Sequence, residues 1–234
     1  MTEAAVRQHE TFRKVTENGK DGGLSMAKIT PLRLASAPAP TSVSGKVMPR
    51  RGLNTERRTR EYLIPREAGA LIRAAGKVGR HRHRDQTLCL VIYQHGLRAK
   101  EAVGLLWEQV DLELGQLHVV RVKHGVPGVH AMSGDEIRAW RRLKREQQPQ
   151  SAHCFTTERK GPLTTSAVRK LVERAGRIAG LPFPAHVHML RHGCGYRLAA
   201  DSVPTREIQQ HLGHKSISST VVYTQLAPGK RYWR

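Results

Sequence analysis

Residues 188–192 read HMLRH, two histidines four apart with an arginine between them. Histidines at that spacing share a helix face and can grip a metal ion; an arginine in the same turn repels a cation and attracts a phosphate. The stretch lacks the glutamate of an H-E-x-x-H zinc site, and only His186 lies close as a further ligand. The better reading is a phosphate grip: His188 and Arg191 on one face, His192 beside them, no metal and no cofactor.

Four other polar positions punctuate apolar segments. Arg98 opens a short helix, Lys123 precedes the turn HGVPG, His214 follows Leu-Gly in QQHLGHKS, and Tyr223 lies nine residues beyond it. Taken singly, each has an ordinary explanation. Arg98 can pair with Glu101, Lys123 can solubilise a hairpin tip, His214 can sit as a cation at a helix C-terminus, and Tyr223 can be a rim residue of the core. Taken together, Arg…Lys…His-x-x-Arg…His…Tyr gathers five cationic or potentially cationic groups and one phenol. The other tyrosines sit elsewhere: Tyr93 is embedded in an apolar helix, Tyr196 falls in the segment after Arg191, and Tyr232 lies in the GKRYWR tail.

The bulk composition points to the same partner. Forty Lys and Arg stand against 19 Asp and Glu, and the pI is near 10.9. Such an excess suits a polyanion, double-stranded DNA first. An anionic membrane fits less well, because no apolar run approaches the roughly 18 residues that span a bilayer. Three widely spaced cysteines (Cys89, Cys154, Cys194) form no C-x-x-C pair, and MTEAAVRQHETF has no apolar signal region. The expected setting is a reducing one, cytoplasmic and close to the nucleoid.

The elements that must position these groups are mostly helices. Ala68, Leu71, Ile72 and Ala75 form a buried stripe in a helix opening near Pro65. DQTLCLVIYQH (85–95) reads as a central apolar helix that Gly96 ends, and RAKEAVGLLW as a short amphipathic one. VDLELGQLHVVRVK (110–123) then reads as a strand pair around Leu-Gly, with VHAM (129–132) a third strand. Helices resume at SGDEIRAWRRLKREQ, behind a Ser-x-x-Glu capping box. TTSAVRKLVERAGRIAG, LRHGCGYRLAADS, PTREIQQHLGH and SISSTVVYTQL follow. The expected class is mainly α with a small antiparallel β-sheet, an α+β domain over 57–225. Residues 1–56 read as a flexible, basic, Pro/Ser-rich tail, and 226–234 as a short C-terminal tail.

Three blocks carry a family resemblance: HGLRAKEAVGLLWEQVDLE (95–113), the hairpin Lys123, and HMLRHGCGYRLAADSVPTREIQQHLGHKSISSTVVYTQ (188–225). They resemble the tyrosine recombinase (phage integrase) family, with its G-L-R-x-x-E, H-x-L-R-H, I-x-x-x-L-G-H and tyrosine at matching spacing. Within the family they look like the compact fimbrial phase-switch DNA invertases. The resemblance implies a site-specific recombinase that cleaves and rejoins DNA through a 3′-phosphotyrosyl intermediate, whether for inversion, integration or excision. It implies Tyr223 as nucleophile, and Arg98, Arg191, His188 and His214 as donors to the phosphate. Lys123 would be the general acid. Glu101 and His192 would support their neighbours, and His188 is the candidate to take the tyrosine proton. The cationic cluster is expected to help the phenol ionise.

The resemblance also implies a synaptic tetramer on DNA, with accessory DNA-bending proteins as further partners. Residues 1–56 look too short and patternless to supply the family's helical core-binding domain. The basic runs at 50–60, 80–84 and 138–145 are candidates for phosphate contacts instead. Two alternatives share this fold: a DNA-binding accessory protein that does not cut, and a type IB topoisomerase-like enzyme.

Overall fold

The computed structural model describes residues 60–122, 125–148 and 150–225. Lys123 and the two tails (1–56 and 226–234) lie outside the described residues. Among the described residues no helix is long and apolar enough to cross a membrane.

The chain enters through Leu63, fully buried, whose N–H donates to the Met189 carbonyl at 3.4 Å. Helix α1 (Pro65–Ala75) starts with proline in its first turn, and Glu67 accepts the Ile64 N–H at 3.1 Å. Its buried face is Ala68, Leu71, Ile72, Ala74 and Ala75, the expected stripe with one addition. Helix α2 (Arg82–His95) starts three residues earlier than its apolar run, because Asp85 is drawn inward. Arg84 donates to its Oδ1 from Nε at 2.9 Å and from Nη2 at 2.6 Å, and a carboxylate suits a helix's first turn. The RHRHR run is therefore partly spent on the fold: His83 bonds the Ala139 carbonyl and Arg80 pairs with Glu158.

Helix α2 is the axis of the domain, packed by α1, by α4 (Gly134–Gln147) and by α6 (Val187–Ala200). Gly96, at φ +58°, ends α2 and turns the chain into α3 (Ala99–Val103). The sheet has order β1-β2-β3, antiparallel throughout: β1 (Val110–Asp111), β2 (Gln116–Val119) and β3 (Gly128–Ala131). Leu117 pairs with His130 and Val119 with Gly128. The ladder stops at Val119, short of the expected residue 123, because Arg121, on the inward side with Leu117 and Val119, ties itself to the His95 and His211 carbonyls at helix ends.

Only half of the expected capping box forms at α4. Ser133 Oγ accepts the Glu136 N–H at 3.3 Å, but the Glu136 carboxylate turns into the core. Helix α5 (Thr165–Ile178) is capped by Thr164. Helices α6, α7 (Thr205–Leu212) and α8 (Ser218–Gln225) close the order. The main core centres on Trp140, Phe155, Leu71, Leu88, Ile92 and Leu190, all under 2% exposed. Truncating one of these leucines to alanine costs about 2–5 kcal/mol. A satellite cluster holds Cys194, Ala199, Ile208, Leu212 and Tyr223. The mainly helical fold with one small sheet is the class expected.

Candidate active site

Gly96 and Gly213 set the backbone of the site. Gly213, at φ +64°, ends α7 and carries the chain to His214. A side chain there would meet Arg121 Cγ at 2.6 Å, so the position is closed on both conformational and steric grounds. The carbonyls on either side of these turns face inward. Arg191 donates from Nη1 to the Gly96 carbonyl and from Nη2 to the Leu212 carbonyl, the latter at 2.7 Å. Arg191 is 2% exposed and is thereby locked between the ends of α2 and α7.

Glu101 organises the cationic side. Its carboxylate accepts the Arg98 N–H at 2.9 Å, Arg98 Nη1 at 2.7 Å, Arg121 Nη1 at 2.9 Å and the Val122 N–H at 3.2 Å. Arg191 Nη1 lies 3.9 Å away. Burial alone would raise the Glu101 carboxyl, but the hydrogen bonds from Arg98 and the Arg121 charge outweigh it and hold it below the usual range. About a quarter of the Arg98 side chain stays exposed (26%).

Tyr223 lies on the other side, 2% exposed, its ring over Gly195. A Cβ at Gly195 would come within 2.8 Å of the ring, so α6 must carry glycine where α8 crosses it. The Tyr223 hydroxyl meets His192 Nδ1 at 2.8 Å. His214 stacks its ring at 6.2 Å from the phenol and bonds Thr220 Oγ1 at 2.9 Å. His188 packs edge-on to His192 at 5.0 Å. Tyr196 packs edge-on to Tyr223 at 5.0 Å, so its role here is packing.

Electrostatics keep this side neutral. Burial, with His188 and Arg191, pushes His192 down to about 4. Burial, with Arg191 and Arg98, pushes His214 down to about 4. Desolvation by its neighbours and the Arg191 and Arg98 charges also lower His188, although that residue reaches solvent. Tyr223 is pushed up to about 12: burial raises it, and the pull of Arg191 and Arg98 does not compensate. The cations thus act in the expected direction, but the buried phenol stays protonated. Burial likewise raises Cys89, Cys154 and Cys194, which are inert as nucleophiles.

Arg98, Glu101, His188, Arg191, His192, His214 and Tyr223 are therefore neighbours in one site; Lys123 lies outside the described residues. Two placements differ from expectation. His192, rather than His188, touches the tyrosine hydroxyl. Arg121 is a buried third guanidinium that sequence reading missed. The available signal was its register, on the inward side of VVRV with Val119.

A phenol beside anchored guanidiniums and neutral imidazoles suits attack on a phosphodiester. Residues 61–230 match the phage integrase family. The chain is 36% identical over 172 residues to the type 1 fimbriae regulatory protein FimE of Escherichia coli strain K12, covering 70% of this chain and 85% of that one.

The chain belongs to the phage integrase family.

It is a site-specific tyrosine recombinase, a metal-independent DNA strand transferase. The family's fold is present too. The crystal structure of XerA recombinase superposes with a TM-score of 0.64 at 26% identity, over 70% of this chain and 60% of that one. XerH site-specific recombinase, bound to a palindromic difH substrate, superposes with a TM-score of 0.64 at 22% identity, over 76% and 53%.

Proposed function

We propose that Tyr223 is the nucleophile of this recombinase and that Arg98 and Arg191 hold the non-bridging oxygens of the scissile phosphate. Residues 57–225 form the catalytic domain, and double-stranded DNA is the substrate. The observation that carries the reading is the contact of Tyr223 with His192 in a site where Glu101 organises both arginines.

In the cleavage step the Tyr223 oxygen attacks phosphorus, and the bond to the 5′-oxygen breaks. The products are a 3′-phosphotyrosyl link and a free 5′-hydroxyl. The phenolic proton passes to the imidazole at Nδ1 of His192; the leaving 5′-oxygen takes its proton from Lys123. Guanidiniums are permanently charged, planar donors, suited to a phosphate whose charge grows in the transition state. His188 and His214 add donors at the rim. Attack by a 5′-hydroxyl from a second duplex reverses the step, so bond number is conserved and no nucleotide triphosphate is consumed.

Tyr223 is 2% exposed over Gly195, so α8 must open the phenol to the phosphate while its hydroxyl keeps the His192 contact. Movement of α8 therefore precedes chemistry. Exchange between two duplexes cuts four strands, which calls for four tyrosines and fits a synaptic tetramer, with accessory DNA-bending proteins bringing the sites together. A nicked suicide substrate carrying the inverted repeats nearest the gene tests the reading. The nick lets the cleaved end diffuse away, and a covalent protein–DNA adduct should accumulate. Reversible binding with no adduct would instead indicate a non-cutting protein on this fold.

A further inference from the structure

Behind the phosphate site, three histidines from distant parts of the chain meet: His95 at the end of α2, His130 on β3 and His211 on α7. One ligand atom from each lies within 4.8 Å of the others. His95 and His130 are buried and His211 is half-buried, which leaves one side open to solvent. The reaction described above uses none of them.

Their hydrogen bonds decide what the cluster can hold. His95 Nε2 meets Glu136 Oε1 at 2.7 Å, and Glu136 is itself buried and accepts from Trp140 Nε1 at 3.2 Å. That contact leaves a proton on His95 Nε2 and a lone pair on Nδ1. His211 Nε2 donates to the Gln94 carbonyl at 3.0 Å, which leaves its lone pair on Nδ1. His95 Nδ1 faces His130 Nδ1 at 3.1 Å. Carboxylate and carbonyl partners on the far nitrogens are the arrangement that fixes metal-bound histidines. Zinc–nitrogen bonds of about 2.0–2.1 Å place two ligands a little over 3 Å apart, a spacing His95 and His130 already meet. His211 stacks its ring on His130 at 4.0 Å, with one ring nitrogen within 4.8 Å of the other two ligand atoms.

We propose that His95, His130 and His211 bind a zinc-like divalent transition-metal ion, with Glu136 orienting His95 and the fourth position left to water. The His130 proton moves from Nδ1 to Nε2 as the ion binds, so three neutral imidazoles each give one lone pair, and protonation of any of them competes with the ion. Arg121 lies nearby, donating to the His95 and His211 carbonyls, and its charge opposes a cation. Glu101 offsets part of that charge, and Glu136 supplies the carboxylate on the histidine side. The ion ties α2, β3 and α7 together, the elements that lead into Arg98, follow the segment holding Lys123 and lead into His214. Its role is structural, outside the strand-transfer chemistry.

The test uses the full chain, free of any affinity tag and stripped by a chelator. It is titrated with zinc chloride against a chromophoric competitor, then with cobalt(II) for its ligand-field bands. One zinc per chain, a four-coordinate nitrogen-rich cobalt spectrum and a raised Tm are expected. His130→Gln and His211→Gln lose the ion, and Glu136→Gln binds it roughly 10–100-fold more weakly. Should His130→Gln fail to fold, His211→Gln at the half-buried corner decides the matter. His188→Gln keeps the ion, which separates this site from HMLRH. No stoichiometric zinc in the unaltered chain, retention by His211→Gln or loss by His188→Gln would each overturn the proposal.

Discussion

His192 Nδ1 lies 2.8 Å from the Tyr223 hydroxyl, while His188 stands behind it, edge-on at 5.0 Å. Which imidazole takes the tyrosine proton is therefore a matter of contact. His192→Gln preserves an acceptor at the hydroxyl but has no basic nitrogen. Adduct formation with this variant is expected to slow by about 10²-fold or more, with DNA affinity kept, since general-base contributions run about 10²–10⁴-fold. Single-turnover cleavage on a suicide duplex measures it. An unchanged rate would return the role to His188.

Removing the Glu101 carboxylate should cost both stability and chemistry. Arg121, wholly buried, has this carboxylate as its ionic partner, and Arg98 is oriented by the same group. Breaking one side of a buried pair costs about 3–5 kcal/mol. Glu101→Gln is expected to lower the urea midpoint accordingly, with cleavage lost even where the fold survives. A midpoint within error of the parent chain would mean that the buried guanidinium is neutralised elsewhere.

These two residues also mark how far the sequence could be read. Arg98, His188, Arg191, His214 and Tyr223 could be singled out because their types and spacing resemble the tyrosine recombinase family, and helical spacing places His188 with Arg191. The helices were legible from apolar stripes such as Ala68–Leu71–Ile72–Ala75. Glu136 was not: its sequence context suggests a capping carboxylate, and only tertiary packing reveals His95 and Trp140 as its partners. His95, His130 and His211 were hidden for the same reason, because their meeting depends on how β3 and α7 stack beside α2. Burial of Tyr223 was likewise invisible, since it arises where α8 crosses Gly195.

The histidines predict an acid-side loss of stability. His192 and His214 fall from an ordinary 6.5 to about 4 in the folded chain. The unfolded chain thus binds more protons between those values, and stability rises with pH there. The contribution is complete above about 6.5 and is lost as pH falls through about 4. Each unit of difference is worth about 1.4 kcal/mol before solvent screening reduces it. Urea titrations with chelator present should show the midpoint falling across this window. The fall should be shallower in His192→Gln and in His214→Gln; equal slopes in all three would remove these residues as the cause.

Gly195→Ala should dislodge the nucleophile. Its new methyl would lie 2.8 Å from the Tyr223 ring, which has to move. Overpacking of this kind costs about 1–3 kcal/mol. Nitration of Tyr223 by tetranitromethane, read by peptide mass spectrometry, should be faster than in the parent chain, where the ring is 2% exposed. Equal nitration would mean that α8 already releases the ring freely.

Tyr223 is expected to become covalently joined to DNA. Trapping the adduct on a suicide duplex, digesting protein and DNA, and sequencing the modified peptide by mass spectrometry shows which residue carries the nucleotide. A nucleotide on the Tyr223 hydroxyl through its 3′-phosphate is expected, with no adduct from Tyr223→Phe. A nucleotide on Tyr196, Tyr232 or any other residue, or a persistent adduct from Tyr223→Phe, would contradict the account.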